Sequence, residues 1–299
     1  IQDPLLPLQN RALASAYPPG SVFKMVMAAA GLAEGVVTPE EGVFCSGTKT
    51  FYKRPFHCWK AGGHGFMNLE SALKNSCDVY FYTLGQKLGI ERIARYARLF
   101  DFGQPSGIDL DVEKRGLVPD DAWSQRQRRH PWYPGETISV AIGQGALLAT
   151  PVQMAVMAAA FANGGYLVTP HLVRGDDSHP PRRIDLPSGI FEPIRRGMWK
   201  VVNDGGTGAS ARVAGVEIAG KTGTVQVVAH TAFEDSSLRP YEERNHAWFA
   251  SFAPYNNPTV VIVVWMPAVP GSRSTKVAPP SSERSTRTSV EPPVMVGQK

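Results

Sequence analysis

The chain has 299 residues, of which 43% are hydrophobic and 19% charged, and carries a formal net charge of +5. That balance describes an ordinary globular protein of one large or two modest domains and excludes a disordered chain. So mild a positive excess suits an anionic wall or membrane surface; nucleic-acid binding needs a concentrated basic face, and the densest basic run, Arg126–His130, reads as a solvated loop. No stretch is apolar for long enough to span a membrane. The chain opens at Ile1 without a starting Met or a signal-peptide pattern and is read as a piece of a longer polypeptide.

In chain order, residues 1–20 are expected to be extended, closing on Tyr17-Pro18-Pro19-Gly20, whose two prolines and glycine stop regular structure. Ser21 follows as the N-cap of an apolar helix from Val22 to Leu32. Residues 36–68 read as irregular. Helical patterns return over Leu69–Asn75 and Val79–Phe100, the second interrupted near Gly89. Residues 101–146 read as loop. Thr150 and Pro151 open a helix that runs to Ala162 and ends at Asn163-Gly164-Gly165. A further helix spans Glu192–Val202. Strands are predicted over Val216–Val228, Ala247–Ala253 and Thr259–Trp265, the last two joined by a turn from Pro254 to Pro258. The folded domain is expected to end at residue 267. Ser, Thr and Pro dominate residues 268–299, which are expected to be disordered.

Three motifs carry chemistry. Ser21-Val22-Phe23-Lys24 places a hydroxyl and an amine three residues apart on one helix face. Serine is a poor nucleophile without an adjacent base, and a buried lysine beside a second cation can become one. By itself, Ser-x-x-Lys is equally a helix cap followed by a solvated lysine. Lys221-Thr222-Gly223-Thr224 lies inside an apolar strand, where a lysine needs a polar cleft to face. Gly223 lets a substrate backbone approach the strand edge. Thr222 and Thr224 project to one side and can bind a carboxylate. The Thr224 N–H, with that of Ser21, can form an oxyanion hole. In Ser76-Cys77-Asp78, a loop between two helical segments turns Ser76 and Asp78 toward the cleft and Cys77 away, so that Ser76 can relay a proton between Lys24 and Lys221.

Together and in this order, the motifs resemble those of the serine penicillin-recognising enzymes. The likeness continues through Asn10-Arg11-Ala12, Tyr17-Pro18-Pro19-Gly20, His130-Pro131-Trp132-Tyr133, Ile142-Gly143-Gln144-Gly145, Thr150-Pro151-Val152-Gln153 and Ala247-Trp248-Phe249. The whole set resembles the class B penicillin-binding proteins, in particular the elongation-type penicillin-binding protein 2, over about Asp3 to Trp265. The resemblance implies an α/β (α+β) fold of the serine β-lactamase/transpeptidase type, in which an antiparallel sheet is flanked by helices beside a mostly helical subdomain. The family's first two strands would precede Ile1, leaving the sheet incomplete here. The implied activity is D-Ala-D-Ala transpeptidation or carboxypeptidation, with Ser21, Lys24, Ser76, Asp78 and Lys221 catalytic and Thr222, Gly223 and Thr224 binding substrate. The resemblance also implies stem peptides and β-lactams as ligands, a membrane glycan polymerase of the elongation machinery as partner, and a place on the periplasmic face of the inner membrane. It implies no organic cofactor.

A fourth constellation is Cys45, Cys58, His64 and Cys77, spaced 13, 6 and 13 positions apart. Three thiolates and an imidazole satisfy a closed, tetrahedral structural zinc site. Penicillin-binding protein 2 relatives carry zinc in this segment, with carboxylates where Cys45 and Cys58 stand here. A Cys45–Cys58 disulfide with Cys77 buried fits the same residues, and His57 offers another imidazole. Two rival activities share the motifs. A secreted β-lactamase needs a Glu-x-x-x-Asn pair that this chain lacks; a non-catalytic penicillin sensor would acylate without cross-linking.

Overall fold

The computed structural model describes residues 8–173, 179–225, 245–267 and 295–297. It opens with one helical turn, α1 (Arg11–Ala14), capped by the Asn10 side chain. A 3-10 turn, Gly20–Phe23, runs directly into α2 (Lys24–Ala33). Eight of the ten α2 residues, Lys24 to Gly31, are buried, as a helix apolar on every side must be.

The segment 36–68, expected to be irregular, instead holds four short strands. These are β1 (Val43–Cys45), β2 (Thr48–Phe51), β3 (Arg54–His57) and β4 (Gly65–Met67). β1 pairs with β4 and β2 with β3, each antiparallel. Strands of three or four residues are too short for alternation to mark them in sequence.

Next come α3 (Leu69–Lys74) and α4 (Asp78–Leu99), within a residue of the predicted bounds. The predicted interruption falls on Gly89, which leaves helical geometry at φ 74. The region expected to be loop, 101–146, contains α5 (Asp121–Arg128) and α6 (Pro134–Val140). α5 has few apolar residues and therefore no apolar period; the Asp120 side chain caps its start. Its end is packed: the Arg128 guanidinium lies 4.5 Å from the Trp123 ring centroid and 5.6 Å from that of Trp132, and pairs with Glu136. The basic run is thus a helix end with a half-buried arginine, not a solvated loop.

α7 (Pro151–Ala162) matches its prediction, and Thr150 with Gln153 forms a reciprocal capping box. Two short strands, β5 (Tyr166–Leu167) and β6 (Arg182–Arg183), pair before α8 (Phe191–Asn203). The main sheet consists of β7 (Ala219–Val225), β8 (His246–Ala253), β9 (Val260–Met266) and β10 (Met295–Gly297), antiparallel in the order β10-β9-β8-β7. β7 begins three residues later than predicted, and residues 226–228 of that prediction lie outside the described residues. Of the tail expected to be disordered, only 295–297 are described, and they pair with β9. α7 packs on β8 and β9, and α8 on β7. β7 ends the sheet, and the Gly20–Phe23 turn packs against it.

Candidate active site

The segment before Ser21 is clamped on several sides. Tyr17 and Ala149 exchange both backbone hydrogen bonds at 2.8 Å, and Gly20 N–H donates to Gly143 O at 2.8 Å. The Trp248 indole donates to Pro18 O at 3.0 Å, and the Tyr17 ring stacks on Trp265 at 3.8 Å. Gly143 has φ 73, and a Cβ there would lie 2.1 Å from Gly20 O, so the contact requires glycine. On the other side a Cβ at Gly20 would lie 2.9 Å from Thr224 O, and one at Gly223 3.0 Å from the Val22 side chain. The first and third motifs therefore meet through glycines.

Ser21 is not an N-cap. The turn starts a residue earlier, at Gly20, and carries no side-chain cap. Ser21 thus lies inside the turn, half-buried, and among the described residues no side chain or backbone group hydrogen-bonds its hydroxyl.

Three residues on, Lys24 is fully buried and Nζ has three acceptors: Asp78 Oδ1 at 2.6 Å, Ser76 O at 2.9 Å and Ser76 Oγ at 3.2 Å. Those acceptors use all three ammonium hydrogens. Lys24 holds the second motif in place. Ser76 adopts φ 51, a left-handed conformation that bends the chain between α3 and α4 and turns Ser76 and Asp78 to the same amine. The second Asp78 oxygen accepts the Trp59 N–H at 3.0 Å, a partner that sequence reasoning missed because main-chain donors leave no mark in composition.

Lys221 is also fully buried, and donates to Thr222 O at 3.0 Å. Burial, aided by the nearby Lys24 cation, holds its amine well below the ordinary lysine range. Thr222 and Thr224 are the two β7 residues between Ala219 and Val225 that are not buried, as strand alternation predicts. A second residue not anticipated is Thr207, whose Oγ1 lies 2.6 Å from Thr222 Oγ1.

The fold also gathers Cys45, Cys58, His64 and Cys77, whose ligand atoms all lie within 4.8 Å of one another. The three thiols are free, so the alternative disulfide is not formed. His57 is directed elsewhere, with Nδ1 2.9 Å from Thr48 Oγ1. His64 Nδ1 lies 3.4 Å from Cys58 Sγ and 3.7 Å from Cys45 Sγ. A tetrahedral zinc ion with bonds of about 2.3 Å to sulfur and about 2.0–2.1 Å to nitrogen sets S···N edges near 3.6 Å, so the donors fit. A hydrogen bond from the Cys77 thiol pushes Cys58 down, and that same bond with burial pushes Cys77 up.

A free serine in a helix-opening turn, a buried lysine three residues on, a serine holding that lysine, and a second buried lysine on the adjoining strand define the class of serine acyl-transfer domains. Residues 1–284 match the penicillin-binding protein transpeptidase domain, and the chain belongs to that family. It is 37% identical over 281 residues to the peptidoglycan D,D-transpeptidase MrdA of Salmonella typhimurium, a match covering 88% of this chain and 45% of that protein. Among solved structures it is similar to penicillin-binding protein PBP2 of Helicobacter pylori in complex with MreC. There the TM-score is 0.82 at 34% identity, over 89% of this chain and 48% of the other. It is also similar to Pseudomonas aeruginosa PBP2 in complex with WCK 5153, with a TM-score of 0.77 at 39% identity, over 88% and 59%. The chain spans about half the length of such relatives.

Proposed function

We propose that this chain is the catalytic part of a peptidoglycan D,D-transpeptidase of the cell-elongation type, working through an acyl-enzyme on Ser21. The observation that carries the reading is the fully buried Lys24 amine, three residues after Ser21 and held by Ser76 and Asp78. Ser21 Oγ attacks the penultimate D-alanyl carbonyl carbon of a stem peptide. Its proton passes to the lysine group: Lys24 yields a proton through Ser76 to Lys221, which burial keeps ready to accept one, and then takes that of Ser21. The main-chain amides of Ser21 and Thr224 receive the negative charge that grows on the carbonyl oxygen. The C–N bond breaks, the leaving nitrogen takes the proton, and D-alanine departs. The amine of a second stem peptide then attacks the ester, loses its proton to the same group, and Ser21 is restored. Thr222 and Thr224 hold the terminal carboxylate. A β-lactam acylates the same serine.

Cys45, Cys58, His64 and Cys77 would hold a zinc ion, which when bound supplies a structural cross-link with no open coordination position. Cys77 lies between Ser76 and Asp78, so the cluster fixes the second motif from behind. The site belongs on the periplasmic face of the inner membrane, where the cross-linkable wall lies, with a membrane glycan polymerase as partner. Among the described residues no helix crosses a membrane.

Mass spectrometry after exposure to labelled benzylpenicillin tests the nucleophile. The adduct is expected on the peptide containing Ser21 and absent from Ser21→Ala; an adduct elsewhere removes the reading. Release of D-alanine from a peptide ending in D-Ala-D-Ala separates a transpeptidase from a penicillin sensor, which would acylate without turning over.

A further inference from the structure

Gly205-Gly206-Thr207-Gly208 sets a single hydroxyl among three glycines, between α8 and β7. Gly205 takes φ 64, and the other two glycines allow close approach. A Cβ at Gly206 would lie 2.6 Å from Val201 Cα, and one at Gly208 2.9 Å from Val201 Cγ1 and 3.3 Å from the Phe249 ring. The loop is pinned by Gly208 N–H to Val201 O at 3.0 Å and Thr207 N–H to Lys74 O at 3.2 Å. Lys74 ends α3, two residues before Ser76. Thr207 is therefore fixed where the second and third motifs converge, with Oγ1 2.6 Å from Thr222 Oγ1 and its own surface exposed.

Two hydroxyls that close must share one proton between them, and either can be the donor. The choice matters to a carboxylate, which only accepts. If Thr222 donates to Thr207, it turns a lone pair toward the incoming anion. If Thr207 donates to Thr222, the Thr222 proton is free to point outward, and the two bonds in series polarise each other. We infer that Thr207 is a positioning residue for substrate: it donates to Thr222 and so sets the Thr222 hydroxyl as a donor to the carboxylate of the acyl donor, which makes it a determinant of selectivity for carboxylate-bearing substrates. The inference rests on the reading of Thr222 as a carboxylate ligand.

The test compares acylation of the full chain by benzylpenicillin and by its methyl ester, which lacks the anion. Thr207→Val, close to isosteric, is expected to raise the half-saturating concentration of benzylpenicillin about three- to tenfold, the worth of one hydrogen bond, with the limiting rate kept. The ester's constants should not move, and Thr207→Ser should behave as the unsubstituted chain. Equal losses with acid and ester, or no loss with either, overturn the assignment. Thr222→Val, measured alongside, separates the two levels. If it too lacks an acid-selective loss, the carboxylate reading of β7 fails; if it shows one and Thr207→Val does not, only the role of Thr207 fails.

Discussion

Lys221 is the residue whose environment works hardest against its charge. Unfolded, its amine is protonated up to about pH 10.4; folded, burial and Lys24 disfavour that proton. Between the lowered folded value and about 10.4, the unfolded state binds more protons, so the Lys221 contribution to stability rises with pH. Lys221→Met removes this slope. It should raise Tm at pH 7, with the gain shrinking as the pH approaches about 10.4, while acylation is lost. A gain independent of pH would contradict the burial argument. Asp78 carries the opposite liability. Asp78→Ala leaves the Lys24 ammonium buried without its 2.6 Å partner, and denaturant titration should show a loss of about 3–5 kcal/mol. At this scale the sequence was informative, because a lysine in an apolar strand or at the third position after a serine has to be explained. It could not show that Lys24 would hydrogen-bond Ser76 and Asp78. That depends on the left-handed backbone at Ser76.

Between α3 and α4 the chain turns on a non-glycine residue in left-handed geometry, a conformation that costs an L-residue roughly 1–2 kcal/mol. The Ser76 hydroxyl accepts from Lys24 at 3.2 Å and is the proton relay of the proposed mechanism. Ser76→Gly should therefore fold with stability unchanged or up to about 1 kcal/mol higher by thermal denaturation, while the acylation rate falls at least about 10²-fold. A parallel loss of both would mean that Ser76 is only a structural turn. The elements around it show why some were legible and others were not. α7 declares itself by Thr150, Pro151 and a closing Asn-Gly-Gly, and α4 by a long apolar period broken at a glycine. α5 is polar on most sides and stays in place through Asp120 at one end and the Arg128–Trp123–Trp132 stack at the other, contacts that arise only after folding. β1 to β4 are too short to show a period, and were read as irregular for that reason.

At the scale of the molecule, the four side chains of the candidate metal site come from four separate places: β1, the residue after β3, the residue before β4, and the N-terminus of α4. Their spacing in sequence resembles no tight knuckle, so the chain closes the cluster only by folding. The four residue types were legible as a candidate set; their convergence was not. Two of the ligands adjoin the site directly. Cys77 lies between Ser76 and Asp78, and Cys58 precedes Trp59, whose N–H holds the Asp78 carboxylate. A metal bound there stabilises the folded state by mass action, by about 4 kcal/mol at a free concentration a thousand times the Kd, which for a domain of this size is about 8–16 °C in Tm. Elemental analysis should find one zinc per chain. A strong chelator should lower Tm by that order, expose three titratable thiols, and slow β-lactam acylation by up to about 10²-fold as the second motif loses its backing. Readded zinc should restore all three. A chain that carries no metal and is indifferent to the chelator would show that the thiols and imidazole pack without an ion, and that Asp78 and Lys24 are held by hydrogen bonds alone.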